Sequence, residues 1–179
     1  DMVAYCSENK LNITASVKKT YSMDRNLLHI SFESQDLEDP WRAPDLQNMW
    51  VMTKPVSMAK NEPEDVVITF KKGVPTAVNG KEYSPAELMR VLNKLGCDHA
   101  IGCIDIVETR FTGMKSRGVY DTPAGTILLE AHRDLESICL DGASIGLKNM
   151  LMPKYAELAY NGFWFAPERE MIQALAEKS

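Results

Sequence analysis

Between Pro85 and Gly96 the apolar residues Leu88, Val91, Leu92 and Leu95 recur three and four positions apart, the spacing that gathers side chains on one face of an α-helix. Ser84, Pro85 and Glu87 precede this stripe as a capping box with proline in the first turn, so the pattern predicts a helix opening at Pro85 and closing at Gly96. Other segments carry the shorter period of a strand. In "AIGCIDIVETRF" the alternation sets Ile104, Ile106 and Glu108 on one face, opposite Asp105 and Val107. Residues 65–70 and 74–78, joined around Lys72 and Gly73 and followed by Asn79 and Gly80, predict an antiparallel meander. "KLNITASV", residues 10–17, also alternates as a half-buried strand does. Ahead of it, Met2, Val3, Tyr5 and Cys6 share a helical face, as the last turns of a helix begun earlier would.

Elsewhere glycine and proline punctuate the chain. "MKSRGVYDTPAGT", residues 114–126, is too polar for a core and too rich in Gly and Pro for a helix, which predicts a loop of the kind that carries binding residues. A helix can start at Pro123; residues 143–162 read as further helix, interrupted at Pro153 and closed by Gly162; and Pro167 opens a final helix that runs to the last residue. Residues 38–65, with Pro40, Pro44, Pro55 and Pro63, must be mostly loop, with Trp41 and Trp50 expected to pin it to the body. Strands come mainly in the first two thirds and helices mainly in the last third, so the expected class is α+β, an antiparallel sheet packed against helices.

Composition narrows the function classes. A chain of 179 residues with 45% hydrophobic content can bury one real core. With 20 basic and 25 acidic residues the net charge is −5, which offers no footprint for nucleic acid or an anionic membrane and favours small-molecule or protein partners. No apolar run approaches the roughly 18 residues of a membrane span. Cys6, Cys97, Cys103 and Cys139 lack C-x-x-C spacing and are expected as buried, reduced thiols, which with the absence of a signal segment points to the cytoplasm. No metal site, phosphate loop, dinucleotide fingerprint or nucleophile elbow is legible.

Two polar stretches remain. Ser22 to Ser31 presents two hydroxyls with Asp24 and Asn26 between them, and "VETRFTGMKSRGVY" presents Glu108, Arg110, Lys115, Arg117 and Tyr120. Such a set can satisfy a zwitterion with an amide-like end through charge pairing and hydroxyl hydrogen bonds. Each residue also has a plainer reading: Ser22 as a turn or cap, Glu108 with Arg110 as a surface ion pair, Lys115 and Arg117 as a solvated loop or a phosphate holder. His29 and His132 stand without a paired nucleophile. The residues by themselves reach a polar pocket on an α+β domain, not a reaction.

"GCIDIVETRFTGMKSRGVYDTPAGTIL", with "YSMDRNLLHISFE", "LEDPW", "FKKGVPTAVNGK" and "YAELAYNGFWFAPERE", resembles the argininosuccinate synthase family from about Tyr21 to Ser179, in the order the family shows. The resemblance implies the ATP-dependent joining of L-citrulline to L-aspartate through a citrullyl-adenylate, giving argininosuccinate, AMP and pyrophosphate, in arginine biosynthesis and the urea cycle. It implies citrulline contacts at Ser22, Ser31, Glu108 and Tyr120, with no covalent nucleophile among them, and structural or electrostatic support from Arg110, Lys115 and Arg117. Family members hold ATP, with Mg2+, on an S-G-G-x-D-T-S loop in an N-terminal domain that also binds aspartate, and this chain carries no such loop. Residues 1–20 are therefore expected to be the end of that domain and a linker, and residues 21–179 the synthetase and multimerisation domain, without the C-terminal tail through which family tetramers interlock. By itself such a piece is expected to be inactive, and the competing expectation is a homo-oligomerisation scaffold with little substrate affinity. One departure stands beside the site: Thr109 follows Glu108 where the family usually has Asn.

Overall fold

The computed structural model describes residues 2–13 and 21–179. Its elements are α1 (Met2–Glu8), β1 (Ser22–Arg25), β2 (Ile30–Glu33), β3 (Ile68–Lys71), β4 (Val74–Val78), β5 (Lys81–Glu82), α2 (Pro85–Asp98), β6 (Cys103–Thr109), β7 (Lys115–Asp121), α3 (Pro123–Cys139), α4 (Gly142–Tyr160) and α5 (Pro167–Ala176). Two antiparallel sheets result, one in the order β1-β2-β7-β6 and one in the order β3-β4-β5. The class is α+β, with strands ending at Asp121 and three helices following.

The four-stranded sheet buries one face. Period-two alternation puts Ile30 and Phe32 of β2 and Val119 of β7 on that side, where Leu37 and Met49 from the proline-rich segment close over them. Phe32 is wholly buried, which contributes about 1.5–3 kcal/mol of transfer free energy. Residues 34–67 are loop apart from three short 3₁₀ turns, as their prolines require. Leu37 and Met49 pin this segment, while Trp41 is 95% exposed and Trp50 half-buried. The expected role of Trp41 is thus corrected: the indole follows Pro40 at a turn whose backbone is tied down by Asp39 instead, the carboxylate accepting the Trp41 N–H at 3.0 Å.

A second core lies between the three-stranded sheet and two helices. The Glu87 carboxylate accepts the Ser84 N–H at 3.2 Å and the Ser84 hydroxyl at 2.6 Å, and α2 lays Leu88 and Leu92 against Val78 of β4 and Ala124 of α3. The helix continues two residues past the expected stop at Gly96, because that glycine serves close contact: a Cβ there would lie 2.5 Å from the Cβ of Pro123. Gly102 adopts φ +115° and lies under the same proline, 2.4 Å from its Cα to where a Cβ would be. The Gly102 carbonyl accepts the Thr122 N–H at 2.8 Å, so the passage from β7 into α3 is clamped to the end of α2.

Four further expectations change. Residues 114–126 are no loop: 115–121 form β7, paired on both edges, and a strand inside a sheet accepts polar residues on its open side while Val119 fills the core on the other. Pro153 does not interrupt α4, since its fixed φ is helical and it removes only one backbone hydrogen bond. The last helix ends at Ala176 rather than at the final residue. None of the four cysteines is fully buried, and Cys139, the last residue of α3, is exposed. Of the strand expected over 10–17, residues 11–13 are irregular and 14–17 lie outside the described residues. Among the described residues no helix is long and apolar enough to cross a membrane.

Candidate functional site

The open face of the four-stranded sheet carries the candidate residues. Register fixes this: Asp24 pairs with Ser31, Ser31 with Tyr120 and Tyr120 with Ile104, while Ser22 pairs with Glu33, Glu33 with Gly118 and Gly118 with Ile106. Paired residues share a face, and so do residues two apart along a strand. Ser22, Ser31, Glu108 and Tyr120 therefore all lie on the side opposite Phe32 and Val119. Two are in contact, the Tyr120 hydroxyl donating to Glu108 Oε1 at 3.4 Å. Ser31 lies directly beside Tyr120 and is mostly covered, whereas Ser22 is exposed on the outermost strand. At about 4.8 Å per strand, Ser22 is roughly 10 Å across the sheet from Gly118.

Glu108 is opposite Ser116, four residues from Tyr120 along β7. At about 3.3 Å per residue their Cα atoms are too far apart for any rotamers to meet unless the ring lies along the strand. Gly118 provides the space. A Cβ at that position would be 3.1 Å from Tyr120 Cε2, so the ring reclines over the bare glycine toward Glu108.

Electrostatics suit a neutral donor beside a carboxylate. Burial, then the charges of Glu108 and Glu33, push the Tyr120 phenol up to about 12, so it keeps its proton at any ordinary pH. Tyr160, at the end of α4, hangs over the same carboxylate, and burial followed by the Glu108 charge raises its phenol as well. Arg110 pairs with Glu33, not with Glu108, and donates to Ser116 Oγ at 3.1 Å. Among the described residues Glu108 is therefore left with phenols and no paired cation, as a carboxylate awaiting an ammonium or N–H donor would be.

The remaining cations belong elsewhere. Arg117 projects from the closed face, forks onto Asp105 at 2.9 and 2.7 Å and donates to the Arg42 carbonyl at 2.9 Å. That fork lowers the Asp105 carboxyl below its usual range. Lys115 donates to the hydroxyl of Thr109. Support from Arg117 and Lys115 is thus structural. His132 is far from this face, paired with Glu136 on α3 at 3.1 Å. Two residues of the site had no local signal in the sequence, Glu33 and Tyr160, which the fold returns from α4; Gly118, which reads as a glycine of a sharply turning loop, is instead inside β7, where its value is an absent side chain. No cluster of three or more His, Cys, Asp or Glu that could hold a metal occurs among the described residues.

An antiparallel sheet with one apolar face closed and one polar face presenting a carboxylate, phenols and hydroxyls makes this an α+β domain with an open polar face among the described residues. The family model described as "Arginosuccinate synthase C-terminal domain" matches residues 21–179, and the chain belongs to the argininosuccinate synthase family. It is 55% identical over 179 residues to the argininosuccinate synthase of a Nitratiruptor species, covering 99% of this chain and 44% of that protein. It is also 51% identical over 180 residues to that of Oleidesulfovibrio alaskensis, covering 100% of this chain and 45% of the relative, and 54% identical over 179 residues to that of Campylobacter jejuni, covering 99% and 44%. The chain spans a little under half the length of these relatives.

Proposed function

We propose that the open face of the β1-β2-β7-β6 sheet is the citrulline-binding half of an argininosuccinate synthase site. The observation that carries this reading is the Tyr120 to Glu108 contact over Gly118, on the same face as both serines. In the complete enzyme the ureido oxygen of citrulline attacks the α-phosphorus of ATP and pyrophosphate leaves. The amine of aspartate then attacks the ureido carbon and AMP leaves. The residues of this chain do not bond covalently to substrate. Glu108 holds N–H or ammonium groups, Tyr120 and the serines hydrogen-bond oxygen or N–H groups, and the reclining ring excludes water from the activated carbon. ATP, aspartate and Mg2+ are assigned to a separate nucleotide-binding domain, since no phosphate loop occurs in this sequence.

Residues 21–179 are read as the synthetase domain and 1–20 as the link to its nucleotide-binding partner, in a cytoplasmic homotetramer serving arginine biosynthesis or the urea cycle. The test is calorimetric titration of citrulline into the chain. Binding lost in Glu108→Ala and weakened in Tyr120→Phe supports the reading, and no heat from the wild type overturns an independent citrulline site. A second reading, a scaffold for self-association, is favoured by the apolar residues exposed on the last helices and their connection, Met150, Phe165 and Met171 among them, and by apolar positions distributed all round α4. Equilibrium sedimentation of the chain separates the two, because binding without association, or association without binding, assigns the roles individually.

A further inference from the structure

His29 shares the open face with the candidate site. It precedes Ile30 at the start of β2, two residues from Ser31 and hence on the same side of the sheet. Its imidazole packs against the ring of Tyr120, centroids 5.2 Å apart and planes at 76°. The Asn26 side chain determines which imidazole nitrogen carries the proton. Asn26 Oδ1 already accepts the backbone N–H groups of Leu28 and His29, at 2.8 and 2.9 Å, so the atom facing His29 Nε2 at 3.3 Å is the amide nitrogen. An amide NH₂ can only donate, which makes Nε2 the acceptor and leaves the proton on Nδ1. That Nδ1 is buried and meets no nitrogen or oxygen partner among the described residues.

We propose that His29 is a positioning residue for Tyr120: Asn26 orients the imidazole, and its ring backs the phenol as it reclines over Gly118 toward Glu108. A buried N–H without an oxygen acceptor is costly to keep. Here it accompanies an edge-to-face ring contact, the arrangement aromatic pairs favour. Two contacts thus constrain the phenol, the imidazole on one side and the glycine beneath. Tyr120 does not choose its rotamer freely. The expected consequence for ligand affinity rests on the citrulline reading above, whereas the ring geometry does not.

Two measurements separate these. Imidazole nitrogen NMR of the wild-type chain is expected to show His29 as the Nδ1–H tautomer, with cross-relaxation between the His29 and Tyr120 rings. The opposite tautomer, or no such cross-relaxation, overturns the proposal whether or not citrulline binds. In the second measurement, citrulline affinity is followed through a double-mutant cycle. His29→Ala is expected to weaken binding about threefold to tenfold, the range of one aromatic pair, and to cost almost nothing further in a Tyr120→Ala background. His29→Phe, which retains a ring but no proton, is expected to recover most of the loss and guards against an alanine variant that fails to fold. Full additivity of His29→Ala with Tyr120→Ala would overturn positioning, because a purely structural histidine acts independently of the phenol. Should the wild type fail to bind citrulline, the functional reading falls and the NMR result alone decides for His29.

Discussion

The two faces of the β1-β2-β7-β6 sheet are built from the same strands and differ in almost everything else. On the closed side Ile30, Phe32 and Val119 sit under Leu37 and Met49. On the open side Ser31, Glu108 and Tyr120 lie around a glycine. Because side chains alternate strictly along a strand, a slip of one residue in the β2–β7 register would turn one strand over against the other, bringing Phe32 onto the face of Tyr120 and Ser31 onto that of Val119. Stability therefore polices the site: the register that buries the phenylalanine is the one that presents the serine and tyrosine. Mutations on the two faces should separate cleanly into losses of folding and losses of binding.

Phe32→Ala is the strongest test on the closed face, with an expected loss of about 3–5 kcal/mol by urea denaturation. A cost under about 1 kcal/mol would mean that this face is not the core. Asp121, 1% exposed at the end of β7, follows: its Oδ2 accepts the N–H groups of Val51, Met52 and Thr53 at 3.2, 2.6 and 3.1 Å. Asp121→Ala leaves three N–H donors without their acceptor, that of Thr53 in a buried residue, so about 3 kcal/mol should be lost and amide exchange over residues 51–53 should quicken.

Glu108→Ala sharpens the contrast from the other side. Folding should change by no more than about 0.5 kcal/mol, while citrulline affinity falls roughly 10- to 100-fold, the range for a hydrogen bond to a charged group. A Glu108 variant that unfolds the chain, or that binds normally, would break the division of labour. Gly118→Ala is subtler. Its methyl group would meet the Tyr120 ring at 3.1 Å, so a stability cost of about 1 kcal/mol should accompany a larger proportional loss of affinity than Tyr120→Phe causes.

The smallest effect is in the alkaline limb. Tyr120 has its folded pKa pushed up to about 12, against an ordinary value near 10. Between those values the unfolded chain releases a proton that the folded chain retains, so the stability linked to this group is complete below about pH 10 and declines as pH rises toward 12. Urea midpoints measured across that window should fall more steeply for the wild type than for Tyr120→Phe. Parallel curves would show that the phenol is not perturbed.

Much of this is legible in the sequence because it is local. The capping box at Ser84 and Glu87, the stripe from Leu88 to Leu95 and the turns at Lys72-Gly73 and Asn79-Gly80 each act within a few residues, and all take the expected form. At both turns consecutive residues take positive φ, as two-residue hairpins require. The strand at 115–121 departs from expectation for the opposite reason. Its polar residues look like loop in isolation and become a strand only when β2 and β6, drawn from distant parts of the chain, satisfy its two edges. Gly96 reads as a stop because its purpose, contact with Pro123, lies outside the helix.

The candidate residues divide along the same line. Glu108 and its strand face follow from alternation, and the family resemblance adds Ser22, Ser31 and Tyr120, but the recline of Tyr120 over Gly118 depends on an atom that is not there. His29 and Tyr160 come to the site from a hairpin turn and a helix end. The amino-acid order alone determined where backbone hydrogen bonds close locally and which side chains share a period, since both are properties of neighbouring residues. Which strand lies beside which, and hence which hydroxyl, carboxylate and imidazole share a face, was decided only by burial of Ile30, Phe32 and Val119, because that free energy exists only once remote segments have met.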